Sequence, residues 1–212
     1  VGFCAVGALR DPNFLSVPTI MDLLRGGITL TIFAVAVMLV LISGGIDVSF
    51  TAIAAFTMYV TAMMLNAGAP WVPWWGALLV GMGIGAALGG INAIFIAGFG
   101  LPTLIVTLGT LSIFRGFMLT FIGQKQITTL PPGMREIGRT MIVRGTNADG
   151  SFYSLHATFL ATLVVIALTW FILYRTMLGR AIFAIGGSAE SARRIGIPVR
   201  AVQAFIYVYV GA

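Results

Sequence analysis

Long runs of apolar residues, separated by short polar breaks, dominate the hydrophobic pattern of this chain. Five runs have the length of about 20 residues that a membrane-crossing helix needs. These predicted spans are residues 26–46, 49–65, 74–99, 101–122 and 154–174. Two shorter apolar runs lie at the ends, at residues 1–9 and 201–212. The pattern therefore predicts an all-α, polytopic membrane helix bundle with about five complete and two partial transmembrane helices.

Glycine and proline mark the turns between the central spans. No Asp, Glu, Lys or Arg occurs from Val48 to Phe114, a stretch too long for a single crossing. Residues 66–70 and 98–102 each contain Gly and Pro, which interrupt helices. We therefore expect about three crossings with tight turns in this stretch.

The composition excludes a soluble globular domain. Hydrophobic residues make up 59% of the chain and charged residues 8%, with a mean hydropathy of +1.05, whereas soluble domains carry about 25% charged residues. The formal net charge is +6, but the basic residues lie mostly between apolar runs, as is typical of loops beside lipid headgroups. We therefore expect membrane lipid, and not nucleic acid, as a partner.

Both ends of the sequence fall inside apolar runs. The chain begins with Val1 and ends at Ala212. We therefore expect residues 1–212 to be one membrane domain, truncated at both ends, of a longer protein.

No motif for catalysis, phosphate binding or a metal site occurs in the sequence. It contains no Gly-x-x-x-x-Gly-Lys-Ser/Thr, no His-Glu-x-x-His and no Gly-x-Ser-x-Gly. The single histidine, His156, excludes a multi-histidine metal site and is expected to be a polar residue at the start of the fifth span. We therefore expect no catalytic residues, no metal and no cofactor.

Asp47 and Arg115 are charges in unusual positions of the apolar pattern. Asp47 lies at the break between the first two spans, where an acid needs water or a partner and is a functional candidate. It can also cap the second span through free backbone N–H groups, and we favour this role. Arg115 can reach the interface from the fourth span, or line a polar path with Thr103, Thr107 and Thr110. The candidate path residues are Asp47, Thr107, Thr110 and Arg115.

A stripe of small residues runs along the third span. Gly81, Gly85 and Gly89 recur at every fourth position, and alanines continue the spacing. Small side chains at this spacing allow helix backbones to approach closely, which drives helix association in lipid. We expect this face to be a helix-packing surface; a sliding surface for gating is the alternative.

The loop before the last apolar run contains the most organised polar signal. Ser188 can cap a short helix whose first turn contains Glu190. Arg193 and Arg194 lie in its last turn, so each charge has the sign that the helix dipole favours. Gly196 and a nearby proline then end the helix. A helix this short is not stable alone, so a partner protein or the bilayer surface must hold it.

The distribution of basic residues indicates which loop is cytoplasmic. Residues 175–200 contain five Arg, residues 123–152 contain four Lys or Arg, and one span separates the two loops. Because Lys and Arg are enriched in cytoplasmic loops, this small bias favours residues 175–200 as the cytoplasmic loop.

Four motifs occur in the order in which a known transporter family uses them. They are residues 43–49 (SGGIDVS), residues 107–110 (TLGT) followed by Arg115 and Gly116, residues 179–187 (GRAIFAIGG), and Ala192-Arg193 with Gly196-Ile197. With these motifs the chain resembles the permease subunits of ribose-type monosaccharide importers, which are binding-protein-dependent ATP-binding-cassette systems of the bacterial inner membrane.

This resemblance implies several partners. They are a cytoplasmic ATP-binding-cassette ATPase, a periplasmic or lipid-anchored sugar-binding protein, and a second permease copy, identical or paralogous. It also implies that the coupling loop, residues 175–200, contains the helix that docks into the ATPase. The expected coupling positions are Gly186, Gly187, Ser188, Glu190, Arg193, Arg194 and Gly196.

We therefore predict a transport permease for a monosaccharide or a similar small polar solute, without enzymatic activity of its own. A branched-chain amino-acid permease of the same general class is one alternative. An ion-gradient-driven secondary carrier is another, and such carriers usually have buried acidic residues, for which Asp47 is the single candidate. An intramembrane enzyme lacks a convincing base.

Overall fold

The computed structural model describes residues 16–122, 129–146 and 152–212 of the chain. The described helices are α1 (Val17–Ile42), α2 (Phe50–Gly68), α3 (Trp74–Ala93, extended by a π-helical turn at Ile94–Gly98), α4 (Thr103–Phe117, extended by a π-helical turn at Met118–Ile122), α5 (Pro132–Arg139), α6 (Thr158–Arg175), α7 (Met177–Gly187), α8 (Ala189–Arg194) and α9 (Val199–Gly211). Among them α1 to α4 and α6 are long and apolar enough to cross a membrane. The predicted all-α, polytopic membrane bundle is confirmed. The partial span predicted at residues 1–9 lies outside the described residues.

Two spans begin at positions that differ from the prediction. α1 begins at Val17, earlier than expected, and its first turns contain Asp22 and Arg25 with exposed side chains. Charged side chains near the end of a span can reach headgroups and water, so they do not end the helix. α6 begins at Thr158, later than expected, because Phe152–His156 forms a strand.

A two-stranded antiparallel hairpin between α5 and α6 was not predicted. β1 (Met141–Thr146) pairs with β2 (Phe152–His156), and both contain the β-branched or aromatic residues that favour strands. β2 packs against α1, which buries Leu155 and His156. The expectation that His156 begins a span is therefore wrong, because this residue ends β2.

The main apolar core lies where α1, α7 and α9 meet. Leu39 and Val40 come from the end of α1 and are fully buried against Ile182 of α7 and Ile206 of α9. The same core includes Ala192, which attaches α8 to the bundle. The core therefore lies directly next to the predicted coupling helix.

The helix ends group on two sides of the bundle. Near the end of α2, the Asn66 side-chain amide donates to the carbonyl oxygen of Thr129 at 2.9 Å, which joins α2 to the segment before α5. This side, which also includes β1 and β2, is termed the hairpin side. On the opposite side, Gly186 at the end of α7 contacts the backbone of Ile42 at the end of α1. This second side is termed the α8 side.

Candidate functional site

Residues 43–49, termed the re-entrant segment, link α1 to α2 without helical structure. Phe50, the first residue of α2, packs against Phe33 of α1 with the ring centroids 5.3 Å apart. Phe33 precedes the end of α1 at Ile42 by 42 − 33 = 9 residues, which is about 13 Å along a helix. The chain therefore folds back into the bundle before α2 begins, and α2 starts inside the apolar region.

A pair of glycines makes this reversal possible. Gly44 has a φ of +79°, a left-handed conformation that residues with a Cβ atom rarely adopt. At Gly45 a Cβ atom would lie 2.8 Å from the hydroxyl oxygen of Tyr207 in α9, so a side chain there would displace Tyr207. The pair thus provides both the turn and the close approach to α9.

Threonines of α4 form hydrogen bonds with the backbone of the re-entrant segment. The N–H of Ile46 donates to Thr103 Oγ1 at 3.0 Å, and the N–H of Val48 donates to Thr107 Oγ1 at 3.4 Å. The Thr107 hydroxyl also lies 3.3 Å from the carbonyl oxygen of Ile46, within reach as a donor. Irregular backbone at membrane depth is tolerated only where protein satisfies its polar groups. The two threonines meet that requirement.

Asp47, Ser49 and Asn92 form a buried polar cluster at the start of α2, termed the Asp47 cluster. Asp47 Oδ1 accepts hydrogen bonds from the N–H and the hydroxyl of Ser49, both at 2.7 Å. The Asn92 amide of α3 donates to the Ser49 hydroxyl oxygen at 2.8 Å. Asp47 is 5% exposed, and the other two are fully buried. The carboxylate thus bonds a free backbone N–H next to α2, although Ser49 and not Asp47 occupies the N-cap position.

Asn92 was not predicted as a functional residue, although the sequence contains a signal for it. In the apolar run of residues 74–99, Asn92 is the only side chain with an amide or carboxyl group. A lone polar group within a membrane span needs a partner. That partner, Ser49, is 43 positions away, so no local pattern identifies it.

The candidate path residues do not meet at one place in this conformation. Asp47, Thr107 and Thr110 are buried between helices, and the Thr110 hydroxyl donates to the backbone of its own helix at 3.1 Å. Arg115 is exposed, on a different face of α4. A path along all four would require α2 and α4 to move relative to each other.

The glycine stripe of α3 contacts two different neighbours. A Cβ atom at Gly85 would overlap the carbonyl oxygen of Gly211, and one at Gly89 would overlap that of Tyr207. α3 and α9 therefore pack backbone against backbone. Gly81, one turn earlier, lies beside α2 instead.

α8 is a short helix with a defined beginning and end. The Ser188 hydroxyl accepts a hydrogen bond from the N–H of Ser191 at 3.2 Å, which caps the first turn. Gly196, with a φ of +87°, lies just beyond the last turn. Ala192 is 2% exposed and packs into the core, so the bundle holds the helix in place.

The charged side chains of α8 point away from the bundle. Glu190, Arg193 and Arg194 are exposed, and Glu190 Oε1 lies 3.3 Å from Arg194 Nε. Exposed pairs at this spacing contribute only about 0.3–0.5 kcal/mol. The ion pair therefore adds little to the stability of the fold, and the three charged groups are accessible to a partner.

A family comparison decides the class of this bundle. The family model described as "Branched-chain amino acid transport system / permease component" matches residues 19–212. The chain belongs to this permease family. The predicted class of protein, a permease related to those of ATP-binding-cassette importers, is thereby confirmed, and so is its location as a multi-pass protein of the bacterial inner membrane.

Individual relatives of this permease share about half their length with the chain. The chain is 30% identical over 201 residues to the "Autoinducer 2 import system permease protein LsrC" of Salmonella typhi. The matched region spans 95% of this chain and 54% of that protein. The chain is also 28% identical over 193 residues to the protein of the same name from Escherichia coli (strain K12 / DH10B). That match spans 91% of this chain and 53% of the relative. No solved structure gives a significant match.

Proposed function

We propose that this chain is part of the permease subunit of an ATP-binding-cassette importer that moves a monosaccharide or a similar small polar solute across the inner membrane. The observation that carries the proposal is α8, a capped helix held on the bundle with its charged side chains exposed. The names of its relatives, permeases of an autoinducer 2 import system, support import. A branched-chain amino acid is the alternative solute, because the description of the family names it.

The coupling loop, residues 175–200, is proposed to face the cytoplasm and to bind the ATPase through α8 and its flanking residues. ATP-driven closure of the ATPase pair would displace α8, and a contact that differs between two states is what allows ATP binding to shift the bundle. ATP hydrolysis then takes place on the other subunit, so this chain needs no catalytic residue and no cofactor. The proposed contact residues are Gly186, Gly187, Ser188, Glu190, Arg193, Arg194 and Gly196.

The hairpin side is then proposed to face the periplasm. Arg135, Arg139 and Arg144 are exposed there, beside the exposed strand residues of the hairpin. Exposed arginines with neighbouring apolar side chains suit a protein partner. A periplasmic or lipid-anchored binding protein would deliver the solute at this surface, and a second permease copy would complete the membrane assembly. We propose no nucleic-acid partner for this assembly.

The solute path is proposed to involve Asp47, Thr107, Thr110 and Arg115. The first three are buried between helices, so they would contact solute only after the packing around α2 opens. The exposed Arg115 needs no such opening. The break at the start of α2 supports this proposal, because interrupted helices commonly form solute sites in transporters.

An ion-gradient-driven carrier is the second candidate function, because Asp47 is an acidic residue buried inside the bundle. Its Oδ1 atom, however, already accepts two hydrogen bonds from Ser49, which favours a structural role. The two functions differ in their energy source.

Transport measurements separate these functions. The full-length protein would be reconstituted in proteoliposomes with its ATPase and binding protein, and uptake of radiolabelled monosaccharides and of leucine would be followed. We expect uptake of a monosaccharide that requires ATP at the α8 side and persists when ionophores collapse the ion gradients. Uptake that ignores ATP but stops with the ionophores would instead establish a secondary carrier. Uptake of leucine alone would identify the amino-acid alternative.

A further inference from the structure

The end of α7 and the re-entrant segment meet in close backbone contact at two glycines. A Cβ atom at Gly186 would overlap the carbonyl oxygen of Ile42, the last residue of α1. A Cβ atom at Gly44 would lie 3.6 Å from both Cα and the carbonyl oxygen of Gly186. We term this contact the Gly44–Gly186 junction. Neither glycine has a side chain that could change rotamer and absorb a displacement.

On one side, the junction is linked directly to α8. Gly186 lies two positions before Ser188, which caps α8, and the Ser188 N–H donates to the carbonyl oxygen of Ala184 at 3.1 Å. Ile182 and Ile185 anchor α7 in the main core. A displacement of α8 therefore reaches Gly186 through continuous, hydrogen-bonded backbone.

On the other side, the junction is linked to the Asp47 cluster. Gly45 follows Gly44, and its N–H donates to the carbonyl oxygen of Val40 at 3.1 Å. Ile46 and Val48 are then tied to α4 by the two threonine hydrogen bonds, and Ser49 connects Asp47 to α3 through Asn92. The segment thus joins the end of α7 to the buried start of α2.

We propose that the Gly44–Gly186 junction transmits displacement of α8 to the re-entrant segment, and so moves the Asp47 cluster and the start of α2. Gly44 and Gly186 are positioning residues for transport in this scheme, and neither contacts the solute. The inference rests on the proposed function, because it requires α8 to be the part that the ATPase moves. It explains why two glycines meet where side chains would otherwise separate α1 from α7.

Hydrogen–deuterium exchange of the wild-type transporter tests the transmission without any substitution. The complete transporter in lipid nanodiscs would be compared without nucleotide and with ATP plus vanadate. We expect exchange to change in peptides covering residues 186–194 and, together with them, in peptides covering residues 43–49. Amides exchange when local hydrogen bonds open, so a displacement that strains the bonds of Ile46 and Val48 to the α4 threonines changes the exchange rate of the segment.

The outcomes of the exchange experiment are distinct. A change at residues 186–194 with none at residues 43–49 would overturn the transmission proposal and leave the proposed function intact. No change at either segment, in a transporter shown to hydrolyse ATP before vanadate is added, would refute the proposed function and this inference with it.

Gly186 and Gly83 supply a matched pair of variants. Gly186→Ala introduces a methyl group into the junction, whereas a Cβ atom at Gly83 of α3, outside the proposed ATPase contact, meets nothing within 4 Å. We expect Gly186→Ala to lower solute transport per ATP hydrolysed by about tenfold, the size of a strong coupling effect. Gly83→Ala should keep the wild-type ratio of transport to hydrolysis. Equal ratios in two well-folded variants would overturn the proposal, and the exchange experiment decides it if Gly186→Ala does not fold.

Discussion

Replacing Gly85 by valine is expected to prevent α9 from packing against α3 and to leave little folded protein. The new Cβ atom would overlap the carbonyl oxygen of Gly211. Overpacking usually costs about 1–3 kcal/mol and occasionally more. Here the obstructing atom belongs to the backbone and cannot rotate away. We therefore expect the free energy of unfolding to fall by at least about 3 kcal/mol. That is a large fraction of the stability of an ordinary domain, about 5–15 kcal/mol.

Gly83 provides the matched control for this substitution. It lies in the same helix, and a Cβ atom there would meet nothing within 4 Å. Valine has a somewhat better helix propensity than glycine and is apolar, so Gly83→Val should be neutral or slightly stabilising. The thermal midpoint and the monodisperse fraction in detergent would be measured for both variants. Similar values for Gly85→Val and Gly83→Val would show that the α3–α9 contact does not hold the bundle together.

Replacing Glu190 and Arg193 together by alanine is expected to abolish stimulation of ATP hydrolysis by the solute-loaded binding protein. Both side chains are exposed on α8, where we propose that the ATPase binds. Alanine preserves the helix, and the buried Ala192 still anchors it. The double variant should therefore insert and melt as the wild-type protein does while its ATP hydrolysis stays at the basal rate.

Arg200→Ala serves as the control for this double variant. Arg200 is exposed on the same side but belongs to α9, outside the short helix. We expect the rate of stimulated ATP hydrolysis to stay within about twofold of the wild-type value. Replacing an exposed residue away from a contact rarely has a larger effect. Full stimulation in the Glu190 and Arg193 double variant would refute the assignment of α8 as the coupling helix.

The spans could be predicted from the sequence because lipid imposes a simple length requirement. A run of about 20 apolar residues has few alternatives to a helix in hydrocarbon. The boundaries were less predictable. Asp22 lies within α1, because an exposed charge near the end of a span is compatible with helix. The fifth predicted span included residues that form β2. A short segment of mixed polar and apolar residues shows too few repeats to distinguish a strand pattern from a helix pattern.

The capped helix α8 was predictable for a related reason. Its signals, from Ser188 to Gly196, act within one or two turns of the same chain segment. The glycine stripe could also be identified from the sequence. The sequence did not indicate which neighbouring helix each glycine would contact. Gly81 lies against α2, whereas Gly85 and Gly89 lie against α9, and that assignment depends on the arrangement of the whole bundle.

The depth of the re-entrant segment could not be predicted from local patterns. The sequence indicated a break at residues 43–49, with a glycine pair and an acid. The hydrogen bond that holds Ile46 inside the bundle comes from Thr103, 57 positions later, and Asn92 reaches Ser49 across 43 positions. Such contacts follow from tertiary packing, which is why Asp47 was recognised as a candidate while Asn92 was missed.

Coupling to the ATPase requires α8 to face the cytoplasm while the hairpin faces the periplasm. Cys4, the single cysteine of the chain, would first be replaced by serine. A cysteine would then be introduced at Ser191 in α8, or at Phe152 in β2, which is 82% exposed. Spheroplasts would be treated with a membrane-impermeant maleimide. We expect Phe152→Cys to be labelled in intact spheroplasts and Ser191→Cys only after permeabilisation. Labelling of Ser191→Cys in intact spheroplasts would place α8 outside the cell and contradict the account.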